Sequence, residues 1–235
     1  NLYNSVQNVV TDWKNYAPDP QPVEKGTVIR AVFVNERDIA SEILTQTYFI
    51  GLQPPERGYT LSLVFDYDDL FGEDGIYVTG KEYDEWYLSG DSSTEAPTPN
   101  FEKKREVRAT AELLGESGDI LNQAVGLRLQ GNTARAERNK RLTIAAREEY
   151  SGSNTFQAAL YKGISTHAVM LKSYFPDTLA SRLVSNRSVS VQGSIPVKVF
   201  LNGEFLYNSY MLERYDKQYF RQHYNVDLSL IHISE

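Results

Sequence analysis

The chain has 235 residues, enough for one large domain or two small ones, with 41% hydrophobic and 12% aromatic side chains from which to build a core. A formal charge of −7 argues against a nucleic-acid binder, and the absence of cysteine rules out disulfides and thiolate-based metal or redox sites. The charge is uneven: residues 1–100 hold 17 acidic and 6 basic side chains, whereas residues 101–235 hold 14 and 18. An anionic ligand therefore belongs with the second half. No apolar run approaches the roughly 18 residues that span a bilayer. The chain starts at Asn1, within what reads as folded sequence, so the expectation is a fragment of a longer protein.

In chain order, residues 25–34 alternate with a β-branched bias and predict a strand, residues 35–38 a polar turn, and residues 43–50 a second strand. The paired prolines Pro54 and Pro55 make residues 53–58 a linker. Residues 59–65 open a new strand. The five carboxylates between Asp66 and Gly75 match no EF-hand spacing and read as a solvated turn. Residues 89–100 are rich in Gly, Ser, Thr and Pro and predict a flexible loop. Strands follow at 106–114, 123–130 and 141–146, with a turn at 115–118. A helix is predicted over 178–189, with Asp177 as its N-cap. Residues 196–201 and 205–212 flank Asn202-Gly203, the strongest short hairpin signal. A last helix is predicted over 216–224. The sum is an α+β arrangement: an antiparallel sheet with a few helices.

The stretch most suggestive of chemistry is Gly126-Leu-Arg-Leu-Gln-Gly-Asn-Thr-Ala-Arg135 with Lys140 and Arg141. Strand, Gly-Asn turn and returning cations place basic side chains around a backbone that can approach a ligand closely, which suits phosphate. Arg128 alternates with Leu127 and Leu129, so the strand sends it to the face opposite those leucines. Taken singly, each of these cations also fits a solvated strand face or turn. His167 and His223 have no metal-ligand spacing and read as structural or exposed.

Read in order, Gly126–Arg135, Asn139-Lys-Arg-Leu142, Pro196-Val-Lys-Val-Phe-Leu-Asn-Gly-Glu204, Met211-Leu-Glu-Arg-Tyr-Asp216 and Tyr219-Phe220 resemble the spore coat protein H (CotH) family of atypical protein kinases. The resemblance covers residues 59–227 and implies the N-terminal lobe of a kinase-like domain, using ATP and Mg²⁺ to phosphorylate Ser or Thr of extracellular or coat proteins. It implies nucleotide-contacting roles for Arg128, Gly131, Asn132, Arg135, Lys140 and Glu213. It names no catalytic residue or metal ligand, because the family's aspartates belong to a C-terminal lobe, and a fragment without that lobe is expected to be inactive. Gln130, Asn139 and Tyr207 depart from the family pattern; Gln130 removes a bidentate phosphate contact. A non-catalytic cell-surface adhesion or carbohydrate-binding protein on the same scaffold is the alternative.

Residues 22–51 resemble the end of a chitobiase/hexosaminidase C-terminal-type β-sandwich module, so residues 1–52 are expected to be a partial sandwich. Such modules occur on secreted bacterial proteins, which implies an extracellular or cell-surface location and adds cell-wall glycan as a partner beside nucleotide and protein substrate. Residues 228–235 match the in-frame translation of a transposon-based sequencing adapter, and carry no weight in the fold reasoning.

Overall fold

A computed structural model describes residues 24–52, 58–90, 93–137, 139–161, 164–172 and 175–226. Its first sheet has two antiparallel strands, β1 (Thr27–Ala31) and β2 (Leu44–Tyr48). Seven further strands follow: β3 (Tyr59–Phe65), β4 (Glu106–Gly115), β5 (Gly118–Leu129), β6 (Leu142–Ala146), β7 (Ala168–Lys172), β8 (Ser194–Leu201) and β9 (Glu204–Glu213). They close into a barrel in the order β3-β4-β5-β6-β7-β9-β8. Every pairing is antiparallel except β3 with β8, which is parallel.

This corrects the expected fold. An open antiparallel sheet forming a kinase-like N-terminal lobe is not what the chain adopts. The parallel β3–β8 pairing, residues 59–63 with residues 197–201, joins the two strands that would otherwise be free edges. In place of part of a β-sandwich, the described residues 24–52 give a single two-stranded sheet. Residues 1–23, residues 53–57 of the linker expected at 53–58, and the adapter-like tail lie outside the described residues.

Alternation explains the barrel. Leu61, Leu63 and Phe65 of β3, Ala109, Ala111 and Leu113 of β4, Val125, Leu127 and Leu129 of β5, and Leu142 and Ile144 of β6 all join one buried cluster, with Val169 and Leu171 of β7 and Val197, Val199 and Leu201 of β8. Their neighbours in sequence point outward. Aromatics join this core: Phe71 packs edge-on against Phe65 and Tyr77, and the Tyr161 hydroxyl donates to the Met211 carbonyl at 2.8 Å. The Asn-Gly turn does more than join β8 to β9. Asn202 and Gly203 adopt φ 46° and 84°, as a tight hairpin turn requires. Asn202 also accepts the Phe65 amide through Oδ1 at 2.9 Å and donates its own amide to the Leu63 carbonyl. The turn thereby ties the end of β3 to the hairpin beside it.

Among the described residues five α-helices accompany the barrel: α1 (Tyr67–Phe71), α2 (Lys81–Ser89), α3 (Glu148–Ser151), α4 (Phe175–Val184) and α5 (Lys217–Tyr224). The carboxylate-rich turn becomes α1, N-capped by Asp66. Among the described residues no group of three or more His, Asp or Glu side chains could hold a metal ion, and no helix is long and apolar enough to cross a membrane.

The β1–β2 sheet sits on the outer surface of β3 and β4. Glu112, fully buried, accepts the Thr47 amide at 2.8 Å and the Thr47 hydroxyl at 2.5 Å, and that hydroxyl also meets Ser62. Asn122 donates to the Thr45 carbonyl, Lys25 pairs with Glu204 at 2.8 Å, and Phe49 packs on Phe200. The sheet's other face leaves Ile29, Leu44 and Tyr48 exposed.

Candidate anion-binding cleft

On the barrel's outer surface, where β4 begins and β5 ends, lies a cleft of about 290 Å³. Lys104, Arg105 and Glu106 line it from the start of β4, Arg128 and Gln130 from the end of β5, Gly131 and Arg135 from the following turn, Thr143 from β6, and Arg214 from the end of β9. The strand register sets Arg128 directly between Glu106 and Thr143. Leu127 and Leu129 are buried in the barrel, so alternation sends Arg128 out into the cleft.

The cleft's one carboxylate is already engaged. Glu106 receives two parallel hydrogen bonds from Arg147, at 2.7 and 2.6 Å, a bidentate arrangement that leaves little charge for other cations. Gly126 makes room for it: a Cβ there would collide with the Glu106 carboxylate. Arg105 and Arg135 bond only to backbone carbonyls among the described residues, Arg105 to Asp74 and Arg135 to Gly131 at 2.5 Å. Arg214 leans toward Asp216 at 3.5 Å. The guanidinium of Arg128 has no hydrogen bond or ion pair among the described residues. Burial lowers its pKa, as do the charges of Arg214, Arg147 and Arg135, while Glu106 opposes them. A guanidinium stays charged regardless, so the consequence is electrostatic strain that an anion relieves.

The six residues singled out from sequence fall into three groups. Arg128, Gly131 and Arg135 line the cleft. Gly131 has φ 93°, a conformation that favours glycine, and it swings the chain into a short 3-10 turn over Thr133–Ala136. Asn132 is exposed at the start of that turn. Lys140 is buried beneath it instead of lining the cleft. Its ammonium donates to the carbonyls of Arg135 at 2.5 Å and Glu137 at 3.1 Å and lies 4.5 Å from the Phe101 ring centroid. The Lys140 backbone is held by Tyr77 and Tyr207, whose hydroxyl donates to its carbonyl. Lys140 thus fixes the turn that carries Arg135. Glu213 is buried next to Arg214 in sequence but faces away, with Oε1 2.9 Å from His223 Nε2 and Oε2 accepting the Gly193 amide.

Lys104, Arg105, Thr143 and Arg214 complete the cleft, and sequence reasoning did not single them out. Arg214 stands beside Glu213 in the quoted motif, but only strand alternation tells which of the two faces the cleft. Gln130 turns its amide toward the Met170 sulfur. His167 pairs with Asp216 and His223 with Glu213. No protein-family model matches the chain, and no curated protein matches it.

Proposed function

We propose that the cleft binds phosphate groups, and that in a secreted or surface-associated bacterial protein of the CotH type it holds the phosphates of ATP for transfer to Ser or Thr of an extracellular protein. The observation that carries the reading is Arg128: an outward guanidinium without a protein counter-ion among the described residues, facing further cations across a cleft whose carboxylate is already paired. Guanidinium groups present planar pairs of donors that match phosphate oxygens, and phosphoryl transfer relies on such charge compensation. A cleft of about 290 Å³ accommodates phosphates, with the nucleoside lying outside it. The donor set therefore fits the phosphates of ATP. It does not fit Mg²⁺, since no described carboxylate cluster could ligate it, and the reading assigns neither a magnesium ligand nor a catalytic base to these residues.

Calorimetric titration of the full chain with ATP and with pyrophosphate tests this. Arg128→Ala is expected to weaken both by tenfold or more, about 1.4 kcal/mol, with Arg135→Ala following. Equal affinity in Arg128→Ala, or no binding by the wild type, removes the reading. A non-catalytic anion-binding surface protein is the second reading, supported by Gln130, which stands at an arginine position of the family pattern and packs against Met170. Binding of ATP by the longer protein without transfer to any protein substrate would favour it.

A further inference from the structure

Asp216 divides its two carboxylate oxygens between two tasks. Oδ1 caps α5, accepting the amides of Gln218 and Tyr219 at 3.0 and 3.2 Å. Oδ2 lies 2.8 Å from His167 Nε2 and 3.5 Å from Arg214 Nε. The capping bonds hold the carboxylate in place, so it cannot follow Arg214 into the cleft without uncapping the helix. His167, at the start of β7, and Arg214, in the cleft wall, therefore share one fixed oxygen.

We propose that this shared oxygen makes anion binding in the cleft proton-dependent: when His167 gains a proton it takes up the charge of Asp216, and Arg214 is released to the ligand. The inference rests on the cleft being an anion site. With His167 neutral, the negative charge of Asp216 is spent largely on Arg214. With His167 cationic, the Asp216–His167 pair is neutral and the cleft gains the charge of Arg214 in full. The groups facing His167 are Asp216 and Arg214 from the β9–α5 connection and Arg147 from the end of β6; the neighbouring Glu213 is occupied by His223. Burial lowers the His167 pKa from its usual value against the pull of Asp216, so the proton arrives at a lower pH than on a free histidine. Linkage runs both ways: the bound anion must raise that pKa by the same factor by which protonation tightens binding.

Sulfate is the suitable probe, since phosphate itself titrates near neutrality. Its affinity for the full chain is measured by calorimetry at about pH 8 and about pH 5, spanning the range in which histidine changes charge, at constant ionic strength. The wild type is expected to bind about fivefold or more tightly at the acidic end, within the usual span of site–site coupling. His167→Gln should bind with no such gain, His223→Gln should keep it, and Asp216→Asn should bind tightly at both ends. As a check that needs no variant to fold, the NMR titration of the His167 ring should move to higher pH when sulfate is present. A gain that survives in His167→Gln, or a flat wild type that still binds sulfate, overturns the switch and leaves the anion site standing. No sulfate binding at either end overturns both.

Discussion

Glu112 and Arg128 occupy the same kind of position, an outward-facing site on neighbouring barrel strands, and meet opposite fates. Glu112 is roofed by the β1–β2 sheet and given the Thr47 amide and hydroxyl as partners. Arg128 is left half-buried in its cleft, with Arg214, Arg147 and Arg135 as like charges nearby, while its cross-strand neighbour Glu106 serves Arg147. A charged group that the fold supplies with its own partners is holding structure together. One set among like charges without a partner supports the proposal of an anion site.

The wall between the two fates can be tested first. Leu127→Ala removes a fully buried side chain one residue from Arg128 and should cost about 2–5 kcal/mol in denaturant unfolding; a much smaller loss would mean that the barrel interior is not packed as described. Glu112→Ala comes next. It orphans the buried Thr47 donors, a cost of about 1–3 kcal/mol, and should appear as faster amide exchange at Thr47 before any change in the barrel strands. If exchange in β2 is unchanged, Glu112 does not fasten the sheet.

Glu112 also predicts a pH trend. Burial raises its pKa, with the Thr47 bonds opposing. A raised carboxyl favours the protonated folded form, so its contribution is complete below the usual carboxyl value and fades as pH rises through the folded value. Relative to wild type, Glu112→Gln should therefore gain stability as the medium goes from acid to neutral. Parallel stability curves would refute the shift. Smaller again is Gly126→Ala, which pushes a Cβ against the Glu106 carboxylate and should lose about 1 kcal/mol, of the order of a well-formed surface ion pair, together with the Glu106–Arg147 bonds. Arg128→Gln sharpens the contrast from the other side. Its effect on unfolding should stay within about 0.5 kcal/mol even as anion binding falls; a large stability loss would mark Arg128 as structural.

Much of the strand content was legible. Alternation located β3, β4, β6, β8 and β9, and Asn202-Gly203 announced its hairpin. Predicted boundaries shifted where the signals were weak. β5 begins at Gly118, not Gln123, because a tight Glu116-Ser117 turn lets the β4–β5 ladder run on. α4 spans Phe175–Val184, which puts Asp177 inside the helix and not at its cap. β7 was missed, since Ala168-Val-Met-Leu-Lys172 is too short for its alternation to stand out from the surrounding loop. The segment read as flexible at 89–100 is preceded by α2, a helix with no buried residue to betray it.

The sequence by itself determined which residues alternate, where the turns fall and which stretch is rich in cations, because these depend on neighbours in the chain. Tertiary structure decided the rest. Closure of the barrel depends on β3 lying parallel to β8, two segments more than 130 residues apart, and no local pattern encodes a partner at that distance. Convergence of Arg128 with Arg105, Arg135 and Arg214 comes from β4, β5, β6, β7 and β9 lying side by side, and the withdrawal of Lys140 beneath its turn from its contacts with Tyr77, Phe101 and Tyr207. Charge is a property of the residue; whether it is spent on the fold or offered to a ligand depends on what the fold brings beside it.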